Sequence, residues 1–205
     1  MTDTLFAPTS RLADRRLPAL LEQCAALHTH LCPRQVLGVR MGLLGGRLLG
    51  LDVPQTGKRL LAFVETDGCA ADGVAVATGC TVGHRTLRVI DYGKVAVTLV
   101  DSQTERAFRI APSPHSRALA SVHAPDARSR WQAQLLAYQI MPDEELLIVQ
   151  PVTLRVSLEA LLSKPGRRVT CEACGEEIIN EREVVHEGTV LCRACAGDRY
   201  YDPLA

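Results

Sequence analysis

Four cysteines near the C-terminus set the hardest constraint on this chain. Cys171 and Cys174 form one C-x2-C pair, Cys192 and Cys195 a second, and seventeen residues separate the pairs. The segment around them, "CEACGEEIINEREVVHEGTVLCRACAGDRYYD", carries too little apolar surface to fold unaided. Four thiolates at this spacing can close a tetrahedral shell around zinc, each pair supplied by a tight knuckle turn. Gly175, directly after the first pair, suits such a turn, and the stretch between the pairs predicts a hairpin turning at "EGT". His186 reads as an ordinary side chain of that hairpin. Residues 164–205 are therefore expected to form a small zinc-ribbon domain. The interruption "SKPGRRV" (163–169) sets it off from a core domain over residues 1–163.

Charge narrows what such a ribbon can do. From Lys164 to Ala205 there are six basic and eight acidic side chains, which argues against a phosphate-backbone footprint and for a structural or protein-contact role. Over the whole chain 23 basic residues cancel 23 acidic ones, so no net field attracts nucleic acid or an anionic membrane. The longest apolar run, "GLLGGRLLGL", is short and contains Arg47, so no membrane span is expected. The N-terminus shows no basic and apolar signal pattern. The expected compartment is the cytoplasm, where eight cysteines point to metal binding rather than disulfides.

The core reads as helix and strand in a definite order. Leu12, Leu17, Leu20, Leu21, Cys24 and Leu27 recur at helical spacing. A second helix is expected after Cys32, with Pro33 at its first position, running to Gly45 or Gly50 and burying Val36, Val39, Leu43 and Leu44. "RLLAFVET" (59–66) predicts a strand and "CAADGVAVATG" (69–79) a short helix closed by Gly79. "TLRVIDYG", "KVAVTLVDS" and "ERAFRIAP" predict three strands in succession. Residues 125–141 return to helix, with Trp131, Leu135 and Tyr138 on one stripe that reads as core. The fold class is thus α+β, a mixed sheet in helix–strand–helix–three-strand order with packed helices.

Two clusters in this core carry possible chemistry. In "LHTHLCPRQ", His28, His30 and Cys32 alternate, so an extended segment would point all three to one side. In "ETDGCAADG", Cys69 follows Asp67 and Gly68 at a strand-to-helix turn. Both cysteines fall at helix starts, where the dipole favours a thiolate, and neutral histidine and thiolate suit zinc. Other readings stand beside this one: a histidine closing a helix, Cys32 as a small core residue, and Asp67 or Asp72 as helix caps. A Cys69–Cys80 disulfide is not expected, because a helix between them would hold the two about 16 Å apart.

Taken together, "HTHLCPRQVLGVRMG", "ETDGCAADGVAVATGCTVGHRTLRVIDYGKVAV" and "CEACGEEI…LCRAC" resemble the FmdE family of formylmethanofuran dehydrogenase components. The likeness covers roughly residues 15–140 plus the ribbon. Thr29 and Arg34 stand where the family's His-Gly-His-x-Cys-Pro-Gly motif has glycines. The resemblance implies an α+β core, a metal, usually zinc, near His30, Cys32 and Cys69, and a homodimer. It does not imply formylmethanofuran chemistry, since no iron–sulfur spacing of the kind the catalytic components need is present.

The expected protein has two zinc sites. One is structural, at Cys171, Cys174, Cys192 and Cys195. The other lies in a cleft at His30, Cys32 and Cys69, with His28 or Asp67 as a further ligand. With an open position, the cleft metal could act as a Lewis acid on a small anionic or carbonyl-bearing ligand. Arg106, Arg109, Arg117, Arg128 and Arg130 either line such a pocket or form a solvated face. The alternative is a non-enzymatic accessory or metal-handling protein associated with a molybdenum or tungsten oxidoreductase. A regulatory ribbon that binds nucleic acid is disfavoured by the charge count.

Overall fold

The computed structural model describes residues 14–28, 30–162, 166–202 and 204. Leu12 and the Ser163–Pro165 part of the expected boundary lie outside the described residues. The chain divides into two compact units, one up to Arg155 and one from Val156 onward.

In the first unit, α1 (Leu17–Leu27) and α2 (Pro33–Leu49) precede β1 (Leu60–Val64), α3 (Cys69–Thr78), β2 (Leu87–Val89), β3 (Val97–Asp101) and β4 (Ala107–Pro112). This is the helix–strand–helix–three-strand order expected from the sequence. Then come α4 (Ser116–His123), α5 (Arg130–Ile140), α6 (Asp143–Leu146) and β5 (Leu147–Val152). The five strands form one mixed sheet in the order β2-β1-β3-β4-β5, parallel only between β1 and β2. Sequence periodicity anticipated neither the short α4 and α6 nor the edge strand β5.

Helix boundaries follow local chemistry. Pro33 opens α2, where its missing N–H costs nothing, and Gly50 closes it at φ 70°. Gly79 closes α3 at φ 74°. On one face of the sheet, Leu60, Ala62, Val64, Val97, Leu99 and Ile110 pack in the buried cluster with α2. The register places Arg88, Phe63, Thr98 and Arg109 in one row across β2, β1, β3 and β4, a mixed polar row on the opposite face.

The helices α2 and α3 meet backbone to backbone. A Cβ built on Gly38 would lie 2.3 Å from the Ala70 carbonyl oxygen, and one on Gly73 would lie 2.4 Å from the Gln35 carbonyl oxygen. At Gly42 it would lie 2.7 Å from Ala77 Cβ. Gly38 thus faces the start of α3 and Gly42 its end, so the two helices run parallel with both N-termini at one end. Arg40 holds α5 onto α2 by donating to the carbonyls of Tyr138 (2.7 Å) and Met141 (2.6 Å) and to Asp143 (2.7 Å). Trp131 departs from its expected place in the core. It sits in the first turn of α5, 49% exposed, while Tyr138 two turns on is buried.

The second unit carries α7 (Leu158–Leu162) and two hairpin-like pairs, β6 (Arg168–Thr170) with β7 (Glu177–Ile179) and β8 (Val184–His186) with β9 (Thr189–Leu191). The β8–β9 turn falls at Glu187 and Gly188, within the expected "EGT". No helix among the described residues is long and apolar enough to cross a membrane.

Gly73→Ala tests the helix contact. Alanine raises intrinsic helix propensity by about 1 kcal/mol, but the added methyl meets backbone that cannot turn aside, and overpacking typically costs about 1–3 kcal/mol. Urea unfolding should show a net loss of stability. An unchanged or raised midpoint would mean that the helices do not touch at this seam.

Candidate metal centres

The ribbon site follows from two knuckles. In the first, Gly175 adopts φ 76° and its N–H donates to the Cys171 carbonyl at 2.9 Å, turning Cys174 back toward Cys171. In the second, the Ala196 N–H donates to the Cys192 carbonyl at 2.9 Å. The Cys192 N–H donates to Cys171 Sγ at 3.2 Å and the Cys195 N–H to Cys192 Sγ at 3.4 Å. All four Sγ atoms lie within 4.8 Å of one another. Backbone donors, the Cys192 N–H first among them, pull the Cys171 thiol down to about 6. The Cys195 thiol is pushed up to about 12, chiefly by its hydrogen bond with Cys192. Crowded thiols of this kind cannot all ionise without a cation, so metal binding here releases protons. The donor set and its spacing fit a tetrahedral zinc.

The cleft site is built at the paired N-termini of α2 and α3. Cys32 is the N-cap of α2 and accepts from the backbone of the third helical residue. Its own N–H donates to Gln35 Oε1 at 2.9 Å, and Gln35 Nε2 donates to the Cys24 carbonyl at 2.9 Å. Fully buried, Gln35 thus ties the end of α1 to the start of α2. Cys69 opens α3, and its thiol stands with that of Cys32 on one cavity wall, close enough for the two to influence each other's ionisation. Burial first, and then the Cys32 thiol, push the Cys69 thiol up. Those effects outweigh the helix-dipole lowering expected for it. Burial likewise pushes the Cys24 thiol up to about 11.

His28 closes α1, and its Nε2 lies 2.7 Å from Asp72 Oδ2 in the first turn of α3. That contact spans 44 residues and adds a second tie at the same end of the helix pair. His30 and Asp67 are exposed. Among the described residues, the ribbon cysteines are the group of three or more metal-binding side chains whose ligand atoms all lie within 4.8 Å of one another. At the cleft the structure brings Cys32 and Cys69 together and pairs His28 with Asp72.

Cys32 and Cys69 stand on the wall of a cavity of about 410 Å³. Pro33, Leu37, Val95 and Pro112 give it apolar surface, and Trp131, Gln134 and Tyr138 of α5 complete one side. Arg34, Ser116 and Arg117 add polar groups. Val95 reaches the wall because the loop after β2 folds back on β1, with the Tyr92 and Lys94 N–H groups donating to the Glu65 carbonyl at 2.9 and 3.1 Å. Of the five arginines expected as pocket or solvated face, Arg117 alone lines the cavity. Arg109 is engaged with Glu65 at 2.6 and 2.7 Å, and Arg106 donates to the Leu48 carbonyl at 3.0 Å. Nothing in their local spacing marks Ser116 or Gln134; Arg34 stands out in the sequence only as the residue in place of the family's glycine, and the helical stripe of Trp131 points to the core.

Comparison with known proteins supports both units separately. Residues 165–201 match the prokaryotic dksA/traR C4-type zinc finger, which makes the four-cysteine cluster a zinc site of that class. Over 211 residues the chain is 30% identical to a protein of Archaeoglobus fulgidus described as a probable S-adenosyl-L-methionine-binding protein. The match covers 90% of this chain and 54% of that protein, so the chain spans about half the length of this curated relative. The fold is shared with the crystal structure of a tungsten formylmethanofuran dehydrogenase FmdE-like protein from Syntrophus aciditrophicus. The two agree at a TM-score of 0.59 and 24% identity, over 90% of this chain and 94% of that one. Residues 27–148, more than half of the chain and all of the cavity wall, match the family described as FmdE, molybdenum formylmethanofuran dehydrogenase operon, and the chain belongs to that family.

Proposed function

We propose that this chain is a two-site zinc protein whose cleft metal, held by Cys32 and Cys69, faces a cavity that takes a small anionic or carbonyl-bearing molecule. The observation that carries this reading is the meeting of two thiols from distant motifs on a cavity wall. Two thiolates are too few for a stable zinc site, and His30, one residue beyond Leu31 from Cys32, is the third ligand in this proposal. His28 or Asp67 would supply a fourth. The His28–Asp72 contact favours His28, because a carboxylate on Nε2 orients the ring and leaves Nδ1 for a metal. An open position would give the cleft metal Lewis-acid character, and the cavity residues would bind and orient the ligand. Two copies of the chain acting as a homodimer belong to the same proposal.

A second reading is an accessory or metal-handling role beside a molybdenum or tungsten oxidoreductase, which the family's operon description favours. The name of the Archaeoglobus relative brings one specific ligand, S-adenosyl-L-methionine, into the same test.

Zinc counting on purified variants separates the sites. Wild-type protein prepared without chelators should carry two zinc ions per chain. Cys174→Ser should lose one and render residues 171–195 protease-sensitive, since removing one thiolate weakens a tetrahedral site severely. Cys69→Ala should lose the other while the ribbon keeps its ion. Full zinc retention by Cys69→Ala would contradict the cleft site, and full retention with protease protection in Cys174→Ser would contradict a metal-dependent ribbon. A metal that exchanges readily with free zinc, without ligand-dependent protection, would favour the metal-handling reading.

A further inference from the structure

The cavity has an electrostatic character that Cys32 and Cys69 do not explain. Its lining includes two guanidinium groups, those of Arg34 and Arg117, and no aspartate or glutamate. Arg34 lies in the first turn of α2 and Arg117 in that of α4, and both are exposed. Several arginines elsewhere in this unit are matched to a carboxylate: Arg16 to Asp14, Arg40 to Asp143, Arg59 to Asp101 and Arg109 to Glu65. The two on the cavity have no such partner among the described residues. A zinc ion held by two thiolates and neutral histidine would add no net charge, so the two arginines would leave the cavity positive. The first turns of α2, α3, α4 and α5 all contribute to its lining, through Arg34, Cys69, Arg117 and Trp131, and helix N-termini reinforce the same sign.

Pro33, Leu37, Val95 and Pro112 make much of the remaining surface apolar. The indole of Trp131, the only tryptophan of the chain, is half exposed beside Pro33, Val95 and Pro112. Tyr138 and Ser116, both buried, line the same cavity. A guanidinium presents a planar fork of donors that matches a carboxylate or phosphate edge, and an indole face favours a planar body.

We infer that the cavity binds a small organic oxyanion, its charged group held by Arg34 and Arg117 and its planar apolar body against Trp131. This inference rests on the ligand-binding reading of the cavity but not on metal in the cleft. It also disfavours S-adenosyl-L-methionine, whose sulfonium would enter a cavity with two cations and no carboxylate on its wall.

Trp131 emission and calorimetry together test the proposal on the full chain. The probes are benzoate and phenyl phosphate, with benzamide as the body without charge, acetate and inorganic phosphate as the charge without body, and S-adenosyl-L-methionine. At least one of the two aromatic oxyanions should bind saturably, and which of them binds more tightly identifies the charged group as carboxylate or phosphate. Benzamide, acetate and inorganic phosphate should bind at least about tenfold more weakly, the equivalent of one lost charge-assisted contact. Arg117→Gln and Arg34→Gln should each weaken the aromatic oxyanion by about tenfold. No binding of either aromatic oxyanion, equal binding of benzamide, preference for S-adenosyl-L-methionine, or insensitivity to both substitutions would overturn it. Oxyanion binding retained in Cys69→Ala would uphold this inference while the cleft metal failed. A cleft zinc in a protein blind to the oxyanions would do the reverse.

Discussion

The meeting of Cys32 and Cys69 in the core unit depends on how closely α2 approaches α3. Gly38 and Gly73 let the two backbones touch, and Gly42 against Ala77 keeps them close one turn further on. The contacts advance in the same direction along both helices, which therefore run parallel. Parallel packing is unusual in its consequence, because it brings two positive helix ends to one place instead of opposing them. Cys32 and Cys69 are the residues at those ends, so a contact between small residues inside the helices decides which side chains meet outside them.

The same end of the pair is then fastened by polar contacts. Gln35 ties Cys32 to the end of α1, and His28 reaches from α1 to Asp72 on α3. Arg40 brings α5 over the opening through three acceptors near its C-terminal end. The cavity is consequently bounded by helix starts rather than by mobile insertions. The ribbon works on a different principle. It has little apolar interior, and its four sulfurs converge through backbone turns at Gly175 and around Cys192. Zinc there would substitute for a core, whereas metal in the cleft would sit on a scaffold that is already folded.

Much of this organisation is legible in the sequence, and the rest is hidden for identifiable reasons. Pro33, Gly50 and Gly79 mark helix limits that the structure keeps, and the spacing of Cys171, Cys174, Cys192 and Cys195 announces the ribbon. The helix α4 is only eight residues long and β5 follows α6 without a linker, so neither gives periodicity time to register. Helical spacing puts Trp131 on the stripe of Leu135 and Tyr138, but its place in the first turn lifts it out of the core and onto the cavity wall. The His28–Asp72 contact and the Cys32–Cys69 contact each join segments far apart in the chain. The four-residue spacing of Gly38 and Gly42 carries a signal for the second of these, since these two glycines face α3 along the parallel seam.

The central claim is that two motifs separated by the whole of α2, β1 and their connections share one metal. Anomalous scattering at the zinc edge from crystals of protein prepared without chelators addresses it directly. The account predicts two peaks per chain, one among the four ribbon sulfurs and one within about 2.3 Å of both Cys32 Sγ and Cys69 Sγ. A single peak at the ribbon, with Cys32 and Cys69 showing only each other as partners, would contradict it.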